Sequence, residues 1–271
     1  MSELSTALLF ATGAATGLVG ALLGLGGGVF LVPLLTLVMG VPIREAIAAS
    51  LISVIATASA SATVNLRRGL VNMRLGLVLE VATSIGGLLG GLLASRLTHQ
   101  QLFVTFALTL ASMGVLMASR SGRRNVIADL DVAPGLLGGR LREGDVTYVY
   151  RVRRLPVAMS SSFVAGALSG LLGLGGGIIK VPVLNTFCGI PIRVAAATST
   201  FMIGVTAAAS AFLYFSRGDV ALVTTAAVCL GALPGSLLGA RLSDRVQARS
   251  LKIIMAVVLI LVAARMGFEG L

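Results

Sequence analysis

Two copies of one glycine- and proline-rich motif contain the residue types best suited to binding a small ion. The first copy runs from Gly24 to Ser50 and the second from Gly173 to Ser199, at a constant offset of 149 residues. In both copies, three consecutive glycines precede a proline, which removes a helical hydrogen bond. The motif therefore predicts a broken helix in each half of the chain, with a half-helix that starts after the glycines.

The start of such a half-helix is suited to an anion, because its first N–H groups lack helical partners and its dipole is positive there. Inside a membrane, irregular backbone is tolerated only where it is buried in protein or lines a cavity. Paired Gly/Pro-interrupted segments in two halves of a chain indicate a transporter's binding site, and close helix packing is the alternative explanation. The predicted substrate-binding positions in the two motifs are Gly26, Gly27, Gly28, Pro33, Gly175, Gly176, Gly177 and Pro182.

Lys180 and Glu80 are the charged side chains inside apolar segments that we consider as candidates for chemistry. Lys180 lies three residues after Gly177, where the first motif has Leu31. An ionisable group in a membrane is a functional candidate, and this cation would attract an anionic substrate. The alternative is that its long side chain snorkels to a nearby interface. Glu80, which is opposite Cys229 in the repeat, could carry a coupling proton, pair with Lys180 or lie near the lipid headgroups.

Hydroxyl and amide side chains accompany each motif and would orient a ligand. Two hydroxyl positions match across the repeat, which indicates a shared lining, although each hydroxyl could instead bond to its own helix. Asn185 adds an amide to the element that carries Lys180. The complete set of these predicted substrate-binding residues is Ser50, Thr57, Asn185, Thr198, Ser199 and Thr206.

Composition places the chain in a membrane. Of its 271 residues, 56% are hydrophobic and only 11% are charged, and the mean hydropathy is +1.01. Soluble domains are about 25% charged, so this chain cannot surround itself with water. We predict an all-α integral membrane protein. The net charge of +11 then reports membrane orientation rather than a nucleic-acid partner.

The repeat divides the chain into a first membrane unit, residues 1–118, a basic linker, residues 119–155, and a second membrane unit, residues 156–271. The linker contains eight arginines and the sequence TYVYRVRR, which could form a short strand or an interfacial segment. It is too small and polar for an independent core. The predicted apolar segments are 4–23, 29–39, 46–64, 75–94 and 102–118, repeated at 157–172, 178–188, 195–215, 220–240 and 251–266.

The short segments 29–39 and 178–188 decide the topology. If they cross the membrane, the repeats have five crossings each and are inverted; if they are re-entrant, the repeats have four each and are parallel. Five crossings place sixteen basic residues on the linker side and four on the other, whereas four crossings give thirteen and seven. The positive-inside rule favours inverted repeats, a cytoplasmic linker and termini outside. The broken helices would then meet near the bilayer midplane.

The doubled pattern G-x-G-G-G-x-x-x-V-P-x-L, followed by G-x-P and by A-x-A-x-S or A-A-T-S, resembles the TauE/SafE family of membrane transporters. The similarity spans nearly the entire chain. The resemblance implies a bacterial inner-membrane secondary carrier for sulfite, sulfoacetate, other organosulfonates or related oxyanions. The family pattern covers the motif glycines and prolines, Thr198 and Ser199. The first repeat departs from the second at Ala49, which matches Thr198. Lys180 and Glu80 lie outside the family pattern.

These observations predict a secondary transporter of a small, sulfur-containing anion that works by alternating access. A passive anion channel and a membrane scaffold are the alternatives. We find no nucleotide-binding signature, no nucleophile–base pair and no metal-ligand spacing, so we expect neither an enzyme nor a cofactor. The expected partners are a small anion, membrane lipid and a coupling proton or cation; the sequence does not indicate an oligomeric state.

Overall fold

A computed structural model describes residues 3–23, 26–119, 135–143, 146–242, 260 and 262–266. The described chain is almost entirely helical, as predicted. The first half comprises α1 (Glu3–Leu23), α2 (Gly28–Pro33) with a π-helical continuation (Leu34–Val38), α3 (Ile43–Arg67), α4 (Met73–Ala94) and α5 (His99–Ser119). The second half comprises α6 (Leu155–Leu172), α7 (Gly177–Thr186), α8 (Ile192–Ser216) and α9 (Leu222–Leu242). Most of the predicted segment 251–266 lies outside the described residues.

Five of the described helices, α3, α4, α6, α8 and α9, are long and apolar enough to cross a membrane. This confirms the prediction of an all-α membrane protein. The G-x-P part of each motif starts the long third helix of its half. Pro42 and Pro191 precede α3 and α8 with nearly identical extended backbone, at ψ 137° and 138°. The repeat in sequence is therefore also a repeat in local structure.

The first helix of each half packs against the fourth helix of the other half, so α1 lies on α9 and α6 lies on α4. Glycines bring these helices into backbone contact. A Cβ atom at Gly86 would collide with the carbonyl oxygen of Phe163, and one at Gly90 with that of Ala167. Because the contacting positions rise together along both helices, α4 and α6 run in the same direction.

Helices α4 and α8 also lie side by side and run in the same direction. Their contacts keep a constant offset of 126 residues: the backbone N–H of Asn72 donates to Thr198, Thr206 donates to Glu80, and Arg217 donates to the carbonyl of Gly91. The centre of the bundle is formed by α3 and α8, which pack against each other. The α4–α8 interface thus spans the fold from one end to the other.

Part of the linker forms an antiparallel hairpin of β1 (Gly139–Glu143) and β2 (Val146–Tyr150), with Gly139 opposite Tyr150. Leu141 and Tyr150 are 5% and 7% exposed, and both pack into an apolar cluster with helical residues of the second half and of α4. The described buried side chains of the hairpin thus pack with helical residues, which hold the hairpin in place.

Candidate functional site

The two glycine motifs lie against each other inside the bundle. Gly27 and Gly176 precede α2 and α7 with left-handed backbone, at φ 80° and 71°, which glycine adopts without steric cost. Ser50 Oγ of the first motif donates a 2.9 Å hydrogen bond to the carbonyl of Gly173 in the second. A Cβ atom at Gly28 would collide with that same carbonyl oxygen. The broken regions of both halves therefore adjoin, and their backbone is buried in protein.

Equivalent threonines of the two halves have different partners. Thr57 Oγ1 donates to the carbonyl of Gly26 at 3.0 Å, and so ties α3 to the first motif. Thr206, the matching residue of α8, donates instead to Glu80 Oε1 at 2.7 Å. In the second half, the threonine hydroxyl therefore binds the Glu80 carboxylate of α4 instead of the glycine backbone. The two halves differ at this position.

Glu80 is 7% exposed, and its two carboxylate oxygens have different surroundings. Oε1 accepts hydrogen bonds from Thr206 and, at 2.9 Å, from Ser84 Oγ one helical turn along α4. Oε2 is buried without a hydrogen-bond partner among the described residues. One oxygen is thus fixed in place, and the other remains available to a proton or a ligand.

Lys180 is completely buried, in the first turn of α7. Its ammonium group makes no hydrogen bond within the described part of the chain. Among the described residues, the carboxylate of Glu80 lies within electrostatic range of this ammonium, with no hydrogen bond between the two groups. Full burial contradicts the alternative that this side chain snorkels to an interface. A buried polar group is normally hydrogen-bonded, so the unpartnered ammonium and the unpartnered Glu80 oxygen mark this region as a candidate site for a polar ligand.

The repeat offers no such pair in the other half. At the positions of Lys180 and Glu80, the first repeat has Leu31, which is 1% exposed in an apolar core cluster, and the second has Cys229, a free thiol. The charged pair is therefore formed once, between α7 and α4.

The remaining predicted residues divide between available and occupied groups. Ser199 has a fully buried hydroxyl with no partner among the residues described. Thr198 Oγ1 accepts the backbone N–H of Asn72 at 2.9 Å, and Asn185 donates to the carbonyl of Ile190 at 2.8 Å. Pro33 and Pro182 lie within α2 and α7. Among the side chains of the predicted set, those of Ser199, Lys180 and Glu80 have buried polar atoms with no hydrogen-bond partner in the described part of the chain.

Sequence reasoning missed two residues that the structure ties to this site. Ser84 holds Glu80, and its spacing of four residues on one helix was a usable signal. Asn72 caps α4 by accepting the N–H of Leu75 at 3.0 Å, and it also bonds to Thr198 through its backbone. Its side-chain amide donates to Tyr150 and Leu137 of the linker. No local pattern indicates these distant partners.

Comparison with known proteins gives a consistent result. The family model described as sulfite exporter TauE/SafE matches residues 9–266. The chain is 27% identical to the probable membrane transporter protein YunE of Bacillus subtilis over 99% of both chains. It is 29% identical to a probable membrane transporter protein of Xylella fastidiosa over 86% of this chain and 84% of the relative. It is 40% identical to the TauE/SafE family protein 5 of Arabidopsis thaliana over 28% of this chain and 18% of the relative. No solved structure matches the chain.

Proposed function

The chain belongs to the sulfite exporter TauE/SafE family and is a multi-pass membrane transporter, and on this basis we propose that it is a secondary transporter of a small sulfur-containing anion. Sulfite, sulfoacetate and other organosulfonates are the substrate class. The observation that carries the proposal is the buried ammonium of Lys180, which has no hydrogen-bond partner among the described residues. Leaving such a group unpaired is costly, and an anion would supply its missing partner.

The proposed anion lies between the ammonium and the first turn of α7. That helix has ten residues and begins directly after the glycines, so its first N–H groups and its dipole reinforce the attraction of Lys180. Ser199 lies on α8, which packs against α7, and its unpartnered hydroxyl can orient a sulfonate or sulfite oxygen. The first half contributes no matching charge to the anion site, since Leu31 occupies the position equivalent to Lys180. Its contribution is the shape of its backbone.

Glu80 is the proposed coupling residue. While the site is empty, Lys180 and an ionised Glu80 balance each other's charge. A bound anion would leave the buried site with one net negative charge, and a proton taken up by Glu80 would restore neutrality. Its unpartnered Oε2 is the atom that would receive this proton. Transport of the anion together with one proton then avoids moving net charge through a low-dielectric interior.

Alternating access would work by movement of inverted halves about this site in the bacterial inner membrane, with the linker cytoplasmic. The common direction of α4 and α8 supports the inverted arrangement. In that arrangement the short turn between α3 and α4 reverses the chain, so α3 and its equivalent α8 are antiparallel. Two parallel four-crossing repeats would require α4 and α8 to be antiparallel.

A thermal-shift screen tests the substrate class. The purified protein is heated with sulfite, thiosulfate, sulfate, sulfoacetate, taurine or small carboxylates, and an anion at about 100 times its Kd adds about 2.7 kcal/mol of stability. We expect a sulfur anion to stabilise the wild type and Leu31→Met, which makes a matched change in the other half, but not Lys180→Met. An equal response from Lys180→Met contradicts the assigned site, and no response to any anion contradicts the substrate class.

A flux assay in proteoliposomes separates a carrier from a passive channel, since only a coupled carrier accumulates its substrate against a gradient. We expect an imposed proton gradient to drive accumulation of the stabilising anion by the wild type. In Glu80→Gln, accumulation is lost while exchange of labelled for unlabelled anion persists. Wild-type protein that only equilibrates the anion would support the channel.

A further inference from the structure

We propose that the β1–β2 hairpin is a lid that closes access from the linker side to Lys180 and Glu80, with Asn72 as its anchor. The proposal concerns regulation of the site described above, and it rests on the proposed transport function. The hairpin is formed by the linker, which has no counterpart elsewhere in the repeat. Its described residues cover the same helices that hold the charged pair.

The packing of the hairpin locates the lid. Leu141 and Tyr150 share one apolar cluster with residues of α4, α7 and α8. Two members of this cluster, Leu79 and Val181, are the sequence neighbours of Glu80 and Lys180. The hairpin side chains thus share a cluster with residues from the same turns of α4 and α7 that carry the pair. Glu80 lies eight residues beyond Asn72, about 12 Å along α4 at the rise of a helix.

Asn72 joins the hairpin to both helices of the α4–α8 interface. Its side-chain Nδ2 donates to the carbonyl of Leu137 at 2.8 Å and to the hydroxyl of Tyr150 at 3.1 Å. Its Oδ1 caps α4, and its backbone N–H donates to Thr198. Thr198 belongs to the second motif. A change in the α4–α8 interface during transport would therefore reach the hairpin through Asn72 as well as through the apolar cluster.

The connection from the hairpin to α6 carries backbone strain. Arg154 has φ 53°, a left-handed conformation that is costly for a residue with a Cβ. Beside it, Arg153 N–H donates to the carbonyl of Cys188 at 3.0 Å, at the end of α7. The chain thus enters α6 from the docked hairpin through a residue in a strained conformation. The position that matches Asn72 in the second repeat is Ala221, whose side chain cannot make these hydrogen bonds.

Two thiols report whether the lid covers the site. With Cys229→Ala, buried Cys188 reports undocking at the helix ends. In a background without native cysteines, Val181→Cys reports access beside Lys180. The detergent-solubilised full chain is treated with a charged methanethiosulfonate reagent, and labelling rates are compared among hairpin variants. Tyr150→Phe removes the hydroxyl bonded to Asn72, Leu141→Ala weakens only the apolar contact, and Tyr148→Phe, on the same strand, is the matched control.

We expect Tyr150→Phe and Leu141→Ala to accelerate labelling of both thiols at least about tenfold, with Tyr148→Phe unchanged. Unchanged labelling at Val181→Cys overturns the lid, even if Cys188 becomes reactive, because the hairpin would then cover only the helix ends. If one hairpin variant fails to fold, the other still decides. Labelling needs no substrate, so a failed lid leaves anion binding intact, and failed anion binding leaves the labelling result intact.

Discussion

Thr206 Oγ1 donates to Glu80 Oε1 across the α4–α8 interface at 2.7 Å, and this contact replaces the bond to the glycine motif that its counterpart Thr57 makes in the other half. Both threonines occupy equivalent positions of duplicated helices. The difference arises because α4 presents a carboxylate where α9 presents Cys229. One substitution in the fourth helix of a half thus changes the role of a hydroxyl in the third helix of the other half.

The two threonines should therefore respond differently to replacement by valine. Thr206→Val removes one of the two donors that orient Glu80, and we expect proton-driven accumulation of the anion to fall at least about tenfold. Thr57→Val removes a bond between α3 and the first motif, and we expect loss of about 1 kcal/mol of stability with accumulation retained. Uptake by proteoliposomes and thermal unfolding measure the two effects. Equal transport by both variants would contradict the role given to Thr206.

Lys180 and Glu80 should be coupled in stability as well as in function. Removing one member of a buried charge pair leaves the other uncompensated, which typically costs about 3–5 kcal/mol, whereas replacing both can be neutral. We expect Lys180→Met and Glu80→Gln each to lower the unfolding temperature, and the double variant to recover most of the loss. Thermal unfolding of the four proteins gives the coupling. Additive losses would mean that the two groups do not sense each other in the folded protein.

The candidate site residues are largely predictable from the sequence, because aligning the two repeats shows where they differ. The alignment places Lys180 opposite Leu31, and it places Glu80 opposite Cys229. The helices also begin and end close to the predicted boundaries, since apolar length sets a membrane segment. The left-handed glycines before α2 and α7 appear where the motif predicts broken helices.

The partners of these residues are not predictable in the same way. That Glu80 faces Thr206 depends on α4 lying beside α8 at a fixed offset, and no periodicity within either helix specifies that offset. The linker sequence is too polar to predict an independent core. Its side chains Leu141 and Tyr150 are nevertheless buried, because they pack against helices of both halves. Helix pairing and hairpin docking depend on tertiary contacts between segments that are far apart in the sequence.

The glycines between α4 and α6 should be sensitive to the smallest added side chain. Gly90→Ala would push a Cβ atom into the backbone at Ala167, so the two helices must separate. We expect it to lower stability by about 1–3 kcal/mol, as overpacking does. Gly204→Ala on α8 is the control, because its nearest neighbour would be the Ala58 side chain at 3.5 Å, an ordinary contact. Thermal unfolding should separate the two, and equal stability would mean that the α4–α6 contact is not tight.

The hairpin should confer an alkaline limit on stability. Burial raises the pKa of Tyr150 above its ordinary value near 10, with a smaller opposing effect from the hydrogen bond of Asn72. A group whose pKa is raised on folding stabilises the protein fully below its unfolded pKa and loses that contribution as the pH rises through its folded pKa. We therefore expect the unfolding temperature of the wild type to fall above about pH 10 more steeply than that of Tyr150→Phe. Tyr148→Phe should follow the wild type, and parallel pH profiles for all three would show that the Tyr150 phenol is not buried in the docked hairpin.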